Sequence, residues 1–261
     1  MISVKAPSEI AAMRRAGRVV AKVLKTLAKN IRPGMTTGEL NRVAERELGA
    51  LGGTSSFKGY RGYPASLCVS INEEVVHGIP GERVIKNGDL VSLDFGAIVD
   101  GYHGDAALTI AVGEVGVQAQ NLLRATKGAL DAGIAAARTG GHLGDISWAI
   151  QKYAESRGFG VVRDYTGHGI GKAMHEEPLV PNFGRAGTGP ELKTGMTFAL
   201  EPMLTTGGWH TRIGADNWVV YTADRSLAAH FEHTVAVTSS GGEILTISDG
   251  LTGQASGQVL N

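Results

Sequence analysis

Apolar residues recur at helical spacing in two pairs of segments, one pair in each half of the chain. In the first segment, near the N-terminus, apolar side chains at every third or fourth position predict an amphipathic helix with Ser8 as its N-cap. A second helix is predicted after Thr36, because Thr36 and Glu39 form a capping-box pattern ahead of another apolar stripe. Gly52-Gly53 ends that helix.

The same arrangement returns later in the chain, which indicates an internal duplication. Shifting the sequence by 106 positions aligns five pairs of identical or similar residues: Arg32 with Arg138, Gly34 with Gly140, Gly38 with Gly144, Glu39 with Asp145, and Leu40 with Ile146. Each helix pair is followed by short β-prone runs. We therefore predict an α+β fold in one catalytic domain, with two similar halves, about 5–112 and 113–247, and helices on one face of a mainly antiparallel sheet. The polar, Gly- and Ser-rich residues 248–261 are predicted to be a mobile tail.

A predicted β-hairpin in the first half carries an unusual pair of acidic residues. Its two apolar, β-prone runs flank Asp100-Gly101, a dipeptide that is favoured in tight hairpin turns. With a loop of two or four residues, Asp94 and Asp105 lie on the same face, directly opposite or diagonal to each other. Like charges at that range repel, so either this face is solvated, as on an edge hairpin, or a cation lies between the two carboxylates. The hairpin alone leaves both interpretations open.

Composition excludes several classes of function. The 261 residues include 25 Lys and Arg against 25 Asp and Glu, and this balance argues against an electrostatic binder of nucleic acid or membrane surfaces. The single cysteine, Cys68, rules out an intrachain disulfide and fits a reducing cytosol. The N-terminal residues carry charges throughout and lack the apolar core of a signal peptide, and no apolar run approaches the length of a membrane helix.

Three polar residues interrupt apolar or glycine-rich segments of the second half. Glu201 ends an apolar strand, Glu232 opens a β-branched strand, and His168 lies in a glycine-rich loop. Each alone is ordinary, since a glutamate at a strand end is usually solvated. Together with the two aspartates they form an oxygen-rich set with one nitrogen, which suits two divalent cations such as Mn, Fe, Co or Zn and disfavours copper or an iron–sulfur cluster.

The motifs that contain these residues resemble those of a known family. The segments SLDFGAIVDGYHGDAA, TGHGIGKAMHEEP, FALEPM and FEHTVAV are similar to those of the type I methionine aminopeptidases, and the resemblance extends from about residue 5 to 247. It implies the pita-bread fold, with two pseudo-symmetric halves around a dinuclear metal site. It also implies a bacterial-type chain without the N-terminal extension that some relatives carry.

The resemblance assigns roles to individual residues. It implies five metal ligands, of which Glu201 is also the proton shuttle for the attacking water: Asp94, Asp105, His168, Glu201 and Glu232. His175 is expected to stabilise the gem-diolate and His77 to contact the scissile nitrogen, whereas the remaining five histidines are interpreted as structural: His103, His142, His210, His230 and His233. The methionine pocket implied by the family comprises Tyr60, Tyr63, Cys68 and Trp218. Phe57 and Met174 depart from the residues common in bacterial members and are expected to reshape its entrance.

The expected function is removal of the initiator methionine from nascent polypeptides when the second residue is small. Two divalent ions, Co, Mn, Fe or Zn, are expected to activate a water for attack on the first peptide carbonyl. The resemblance further implies a cytoplasmic monomer that acts near the ribosome, without sequence-specific nucleic-acid binding or membrane attachment. Two alternatives remain open: a proline-specific peptidase of the same fold, and a non-catalytic module that binds peptides or ribosomes.

Overall fold

This computed structural model describes residues 2–247. These residues contain four α-helices and fifteen β-strands. The helices are α1 (Pro7–Asn30), α2 (Thr37–Ala50), α3 (Val117–Ala136) and α4 (Leu143–Glu155). The strands of the first half are β1 (Thr54–Ser55), β2 (Cys68–Ile71), β3 (Glu74–Val76), β4 (Leu90–Val99) and β5 (Tyr102–Ala111). Those of the second half are β6 (Gly160–Val161), β7 (Gly167–Gly169), β8 (Glu176–Val180), β9 (Thr197–Leu200), β10 (Met203–Thr205), β11 (Thr211–Ile213), β12 (Val220–Thr222), β13 (Ala228–His230), β14 (Glu232–Thr238) and β15 (Gly241–Ile244). The tail predicted at 248–261 lies outside the described residues.

A nine-stranded sheet runs through both halves of the molecule. Its main path is β1-β4-β5-β14-β9-β7-β8, with β2 beside β4 and β15 beside β14, and the strand pairs are antiparallel. The contact between β5 and β14 joins the first half to the second. Two three-stranded sheets, β13-β10-β6 and β11-β12-β3, lie beside it. The predicted α+β architecture with a mainly antiparallel sheet is confirmed.

Helices cover one face of this sheet in each half. Leu93 and Phe95 of β4 are fully buried in the cluster that contains the apolar faces of α1 and α2. Val235 of β14 is buried in the corresponding cluster under α3 and α4. Fully burying a side chain of this size contributes about 1.5–3 kcal/mol. Because side chains alternate along a strand, Asp94 and Glu232 then point to the opposite face, away from the helices.

The predicted start of the first helix is wrong, whereas that of the second is confirmed. Helix α1 begins at Pro7, and Ser8 lies inside its first turn rather than capping it. Proline is favoured at the first helical position because it has no amide hydrogen, and the Ala6 amide is satisfied by donating to the Glu9 carboxylate at 2.9 Å. At α2, Thr36 and Glu39 form the predicted reciprocal pair, with distances of 2.7 and 3.2 Å.

The two halves share backbone contacts at equivalent positions. Gly34 and Gly140 have positive φ values of 91° and 84°, which favour glycine. The Gly34 amide donates to the Ile85 carbonyl and the Gly140 amide to the Leu192 carbonyl, both at 2.9 Å. This correspondence supports the duplication inferred from the sequence.

Within residues 2–247, no helix combines the length and the apolar character needed to cross a bilayer.

Candidate metal centre

The β4–β5 hairpin places its two acidic residues on one face, as the sequence predicts. The turn consists of Asp100-Gly101, and both residues have positive φ, 51° and 77°, as a type I′ turn requires. The resulting register pairs Asp94 with Ala107 and Asp105 with Gly96. Asp94 and Asp105 are therefore diagonal neighbours on the face opposite the helices.

The second half brings three more polar side chains to the same face. Glu232 lies directly opposite Ala107, the partner of Asp94. Beyond β14, Ala199 of β9 pairs with His168 of β7, and Glu201 follows Ala199 by two positions. Directly paired residues share a face, and so do residues two apart on an extended segment. All five predicted ligands consequently lie on one face of the sheet, to which both halves contribute.

Three of the five come close enough to share one ion. Ligand atoms of Asp105, His168 and Glu232 all lie within 4.8 Å of one another. The fourth, Glu201, places Oε1 3.6 Å from Nε2 of His168. The other ring nitrogen of His168, Nδ1, is 2.8 Å from the Gly169 carbonyl. Nδ1 therefore carries the hydrogen and donates, which leaves the Nε2 lone pair directed at the carboxylates.

The carboxylates are buried and lack partners for several oxygens. Oδ1 of Asp94, Oδ1 of Asp105 and Oε1 of Glu232 have no hydrogen-bond partner among the described residues. Burial raises the pKa of Asp94 to about 7. Burial, and then repulsion from the neighbouring carboxylates, raises the pKa values of Asp105, Glu201 and Glu232 well above the usual range. Orphaned carboxylate oxygens with one imidazole are the donors that divalent cations accept, so these residues fit a metal centre.

The metal-free protein is expected to lose stability as the pH rises from 7 to 8. The raised carboxyl pKa values mean that the folded state holds protons that the unfolded chain, with pKa values near 4, has released, so the free energy of unfolding falls with pH. Buried histidines with lowered pKa values make the free energy of unfolding rise with pH. This rise ends near about pH 6.5, where histidines of the unfolded chain have also lost their protons, so it does not act between pH 7 and 8. Thermal unfolding of chelator-treated protein at the two pH values measures this difference. An unchanged or rising melting temperature would contradict it.

Two histidines predicted to contact substrate flank the ligands. His175 is exposed, its ring lies 4.0 Å from that of His168, and its Nδ1 is 2.9 Å from the Tyr60 hydroxyl. His77 has a positive φ of 63°, which is uncommon for a residue with a side chain. Burial lowers the pKa of His77 to about 4. Desolvation also lowers the pKa of His175, to about 3, so both rings are neutral at pH 7.

The six residues predicted to form the pocket lie in a single apolar cluster beside the ligands. The cluster also contains Ala65 and Ile79, and its predicted members are Phe57, Tyr60, Tyr63, Cys68, Met174 and Trp218. Cys68 pairs directly with Asp94 across β2 and β4, so the cluster adjoins the carboxylates. The Tyr63 hydroxyl lies 3.1 Å from the Leu67 carbonyl and 3.0 Å from the Gly78 carbonyl, which holds the ring in place.

The remaining histidines mostly lie in structural positions. His142 precedes α4, His210 stacks on Trp209, and His233 is hydrogen-bonded to Thr246 at 2.9 Å. His103 contacts the Ser56 hydroxyl at 2.9 Å.

The environment of His230 differs from that of the other histidines interpreted as structural. Its ring is buried beside the carboxylates, and neither ring nitrogen has a hydrogen-bond partner among the described residues. The sequence contained a signal for this placement, because His230 precedes Glu232 by two positions in extended chain.

Comparisons with known proteins agree with this geometry. Residues 11–239 match the model of metallopeptidase family M24. A methionine aminopeptidase from Clostridium acetobutylicum is 51% identical over 250 residues, which span 95% of this chain and 100% of the relative. Methionine aminopeptidase 1 of Bacillus subtilis is 49% identical, with coverage of 94% and 99%.

Solved structures separate two groups of relatives. The crystal structure of methionine aminopeptidase from Thermotoga maritima superposes with a TM-score of 0.94 at 46% identity and covers 95% of this chain and 100% of its own. A prolidase from Pyrococcus furiosus gives a TM-score of 0.76 at 22% identity, which shows a shared fold. The match covers 94% of this chain but 66% of the prolidase, so a third of that protein has no counterpart in the alignment.

Proposed function

The chain belongs to metallopeptidase family M24, among its type I methionine aminopeptidases, and from this we propose that it removes N-terminal methionine from peptides and nascent proteins. The observation that carries the proposal is the position of five metal-type donors on one face beside an apolar pocket. A flexible thioether suits such a pocket, which is lined by aromatic rings, a thiol and another methionine.

Two divalent cations are proposed to bind among Asp94, Asp105, His168, Glu201 and Glu232. Carboxylates bridge metal ions, so five residues suffice for two ions. Asp105, His168 and Glu232, whose ligand atoms lie within 4.8 Å of one another, would form the centre of this set. The donors accept Co, Mn, Fe or Zn. When bound, such ions lower the pKa of a water and polarise the carbonyl to be cleaved.

The chain's own residues are proposed to position the substrate and move the proton. The carboxylate of Glu201 takes a proton from the attacking water and passes it to the leaving amine, a role that suits its raised pKa. His175 hydrogen-bonds the carbonyl oxygen where negative charge develops, and the Tyr60 hydroxyl orients its ring. His77 contacts the scissile nitrogen, and the pocket around Cys68 holds the methionine side chain.

Substrate choice and cellular setting follow from the family. We propose that a small second residue is required and that the free α-amine limits cleavage to one residue. The substrates are nascent chains in the cytoplasm near the ribosome, and the protein acts as a monomer.

The function is tested with protein stripped of metal and then titrated separately with Mn²⁺, Co²⁺, Fe²⁺ and Zn²⁺. A Met-Gly peptide, a Met peptide with a bulky second residue and a Xaa-Pro peptide are supplied in parallel. We expect at least one metal to restore methionine release from the Met-Gly peptide, with little cleavage of the other two. Cleavage of the Xaa-Pro peptide alone would assign the chain to the proline-specific peptidases. Metal binding without cleavage of any peptide would reject an aminopeptidase.

A further inference from the structure

His230 is held rigidly at the end of β13, just before the strand that carries Glu232. Its amide donates to Oγ1 of Thr109 at 2.9 Å, and its carbonyl accepts from the same hydroxyl at 2.8 Å. The side chain is 2% exposed. Neither ring nitrogen has a hydrogen-bond partner in residues 2–247, although buried polar atoms are nearly always paired. A fixed, buried and unpartnered imidazole therefore requires an explanation.

The imidazole faces two of the proposed metal ligands. Its Nε2 lies 3.9 Å from Oε2 of Glu232 and 4.0 Å from Oε2 of Glu201. Each nitrogen of an imidazole ring carries either a hydrogen or a lone pair. A lone pair directed at two carboxylates would be repelled, whereas an N–H would be attracted to both. The geometry therefore favours the Nε2–H tautomer.

We propose that His230 is a positioning residue whose Nε2–H donates to Glu201 and Glu232 and holds both carboxylates in the orientation that binds metal. This inference rests on the function proposed above. The present separations exceed the roughly 2.9 Å of a direct hydrogen bond, so the proposal requires the carboxylates to come closer to Nε2 in the metal-loaded protein. Hydrogen-bond partners of metal ligands fix the ligand orientation, and their loss typically weakens metal binding about 10–100-fold.

Two substitutions separate a hydrogen-bond donor from a direct nitrogen ligand. His230→Phe keeps a flat ring of similar shape without nitrogen, and His230→Gln restores an N–H donor. We measure dissociation constants for Mn²⁺ and Co²⁺ by calorimetry with a competing chelator, and we record the absorption spectrum of the Co²⁺ forms. His210→Phe, at an exposed histidine stacked on Trp209, is the matched control.

The proposal predicts that His230→Phe weakens metal binding about 10–100-fold, while His230→Gln stays close to the wild-type value with an unchanged Co²⁺ spectrum. Unweakened binding in His230→Phe would overturn it. Equal weakening in both variants, with a changed Co²⁺ spectrum, would instead make His230 a direct ligand. If wild-type protein binds no divalent metal, the proposed function itself fails, and the inference with it.

A spectroscopic measurement on metal-loaded wild-type protein provides a second readout, which does not depend on metal affinity. Long-range ¹H–¹⁵N correlation of the histidine rings reports which nitrogen carries the hydrogen. We expect the His230 signal, assigned by its loss in His230→Gln, to show Nε2–H in metal-loaded wild-type protein. A protonated Nδ1 with a bare Nε2 would overturn the proposal.

Discussion

Replacing Glu201 by glutamine is expected to lower kcat for a methionyl peptide by about 10²–10⁴-fold, the usual contribution of a positioned acid–base group. An amide keeps the size of the side chain and one oxygen donor but cannot accept and return a proton. Because the proton moves during the reaction rather than on binding, kcat and kcat/KM should fall together. Steady-state kinetics at saturating metal, with metal content measured in the same samples, provides the test.

Glu82→Gln is the matched control, because Glu82 is exposed and lies outside the metal centre. It should leave kcat unchanged. If Glu201→Gln retains full kcat with metal bound, Glu201 is not the proton shuttle. If its loss of activity is reversed by raising the metal concentration, Glu201 acts as a ligand alone.

Replacing Asp105 by asparagine should have opposite effects on the metal-free and metal-loaded proteins. Without metal, Asp105 is a buried acid with an unpartnered oxygen beside other carboxylates, and its neutral isostere removes that repulsion. We therefore expect a higher melting temperature at pH 8, by about 2–4 °C for each kcal/mol gained. The stabilisation that added Mn²⁺ or Co²⁺ gives wild-type protein should disappear, together with peptide cleavage.

Asp131→Asn provides the comparison for this prediction. Asp131 forms a half-exposed pair with Lys127 on α3, at 2.8 Å, and ion pairs near the surface contribute little. Its melting temperature and its response to metal should both remain close to wild type. An Asp105→Asn protein that is less stable than wild type without metal, or that keeps the full response to metal, would contradict the proposed site.

The hairpin shows what local sequence specifies well. Asp100-Gly101 favours positive φ at both turn positions, which fixes a two-residue loop and hence the register. Once the register is set, the period of two along each strand places Asp94 and Asp105 on one face. The start of α2 is also specified locally, because it depends on Thr36 and Glu39, which are three positions apart.

Other features depend on contacts that no local pattern contains. The sequence did not specify which strand would lie beside β5, because its partner β14 begins more than a hundred residues later. The sequence predicts a structural role for His230, because its ring comes against Glu201 only once β14 pairs with β9 and β13 pairs with β10. At the start of α1, two local signals compete. Serine is a better N-cap than alanine, but Pro7 favours the first helical position and Glu9 accepts from the Ala6 amide, so the helix begins at Pro7.

The pairing of β5 with β14 has a consequence for how the molecule is made. During synthesis, Asp94, Asp105 and His168 emerge first, and Glu232 emerges only after most of the chain is complete. Contacts so distant in sequence form late, since a long loop must close before they gain any energy. Completion of the centre therefore marks completion of folding. A chain that ends before Glu232 lacks one of the proposed metal ligands and is therefore expected to be inactive.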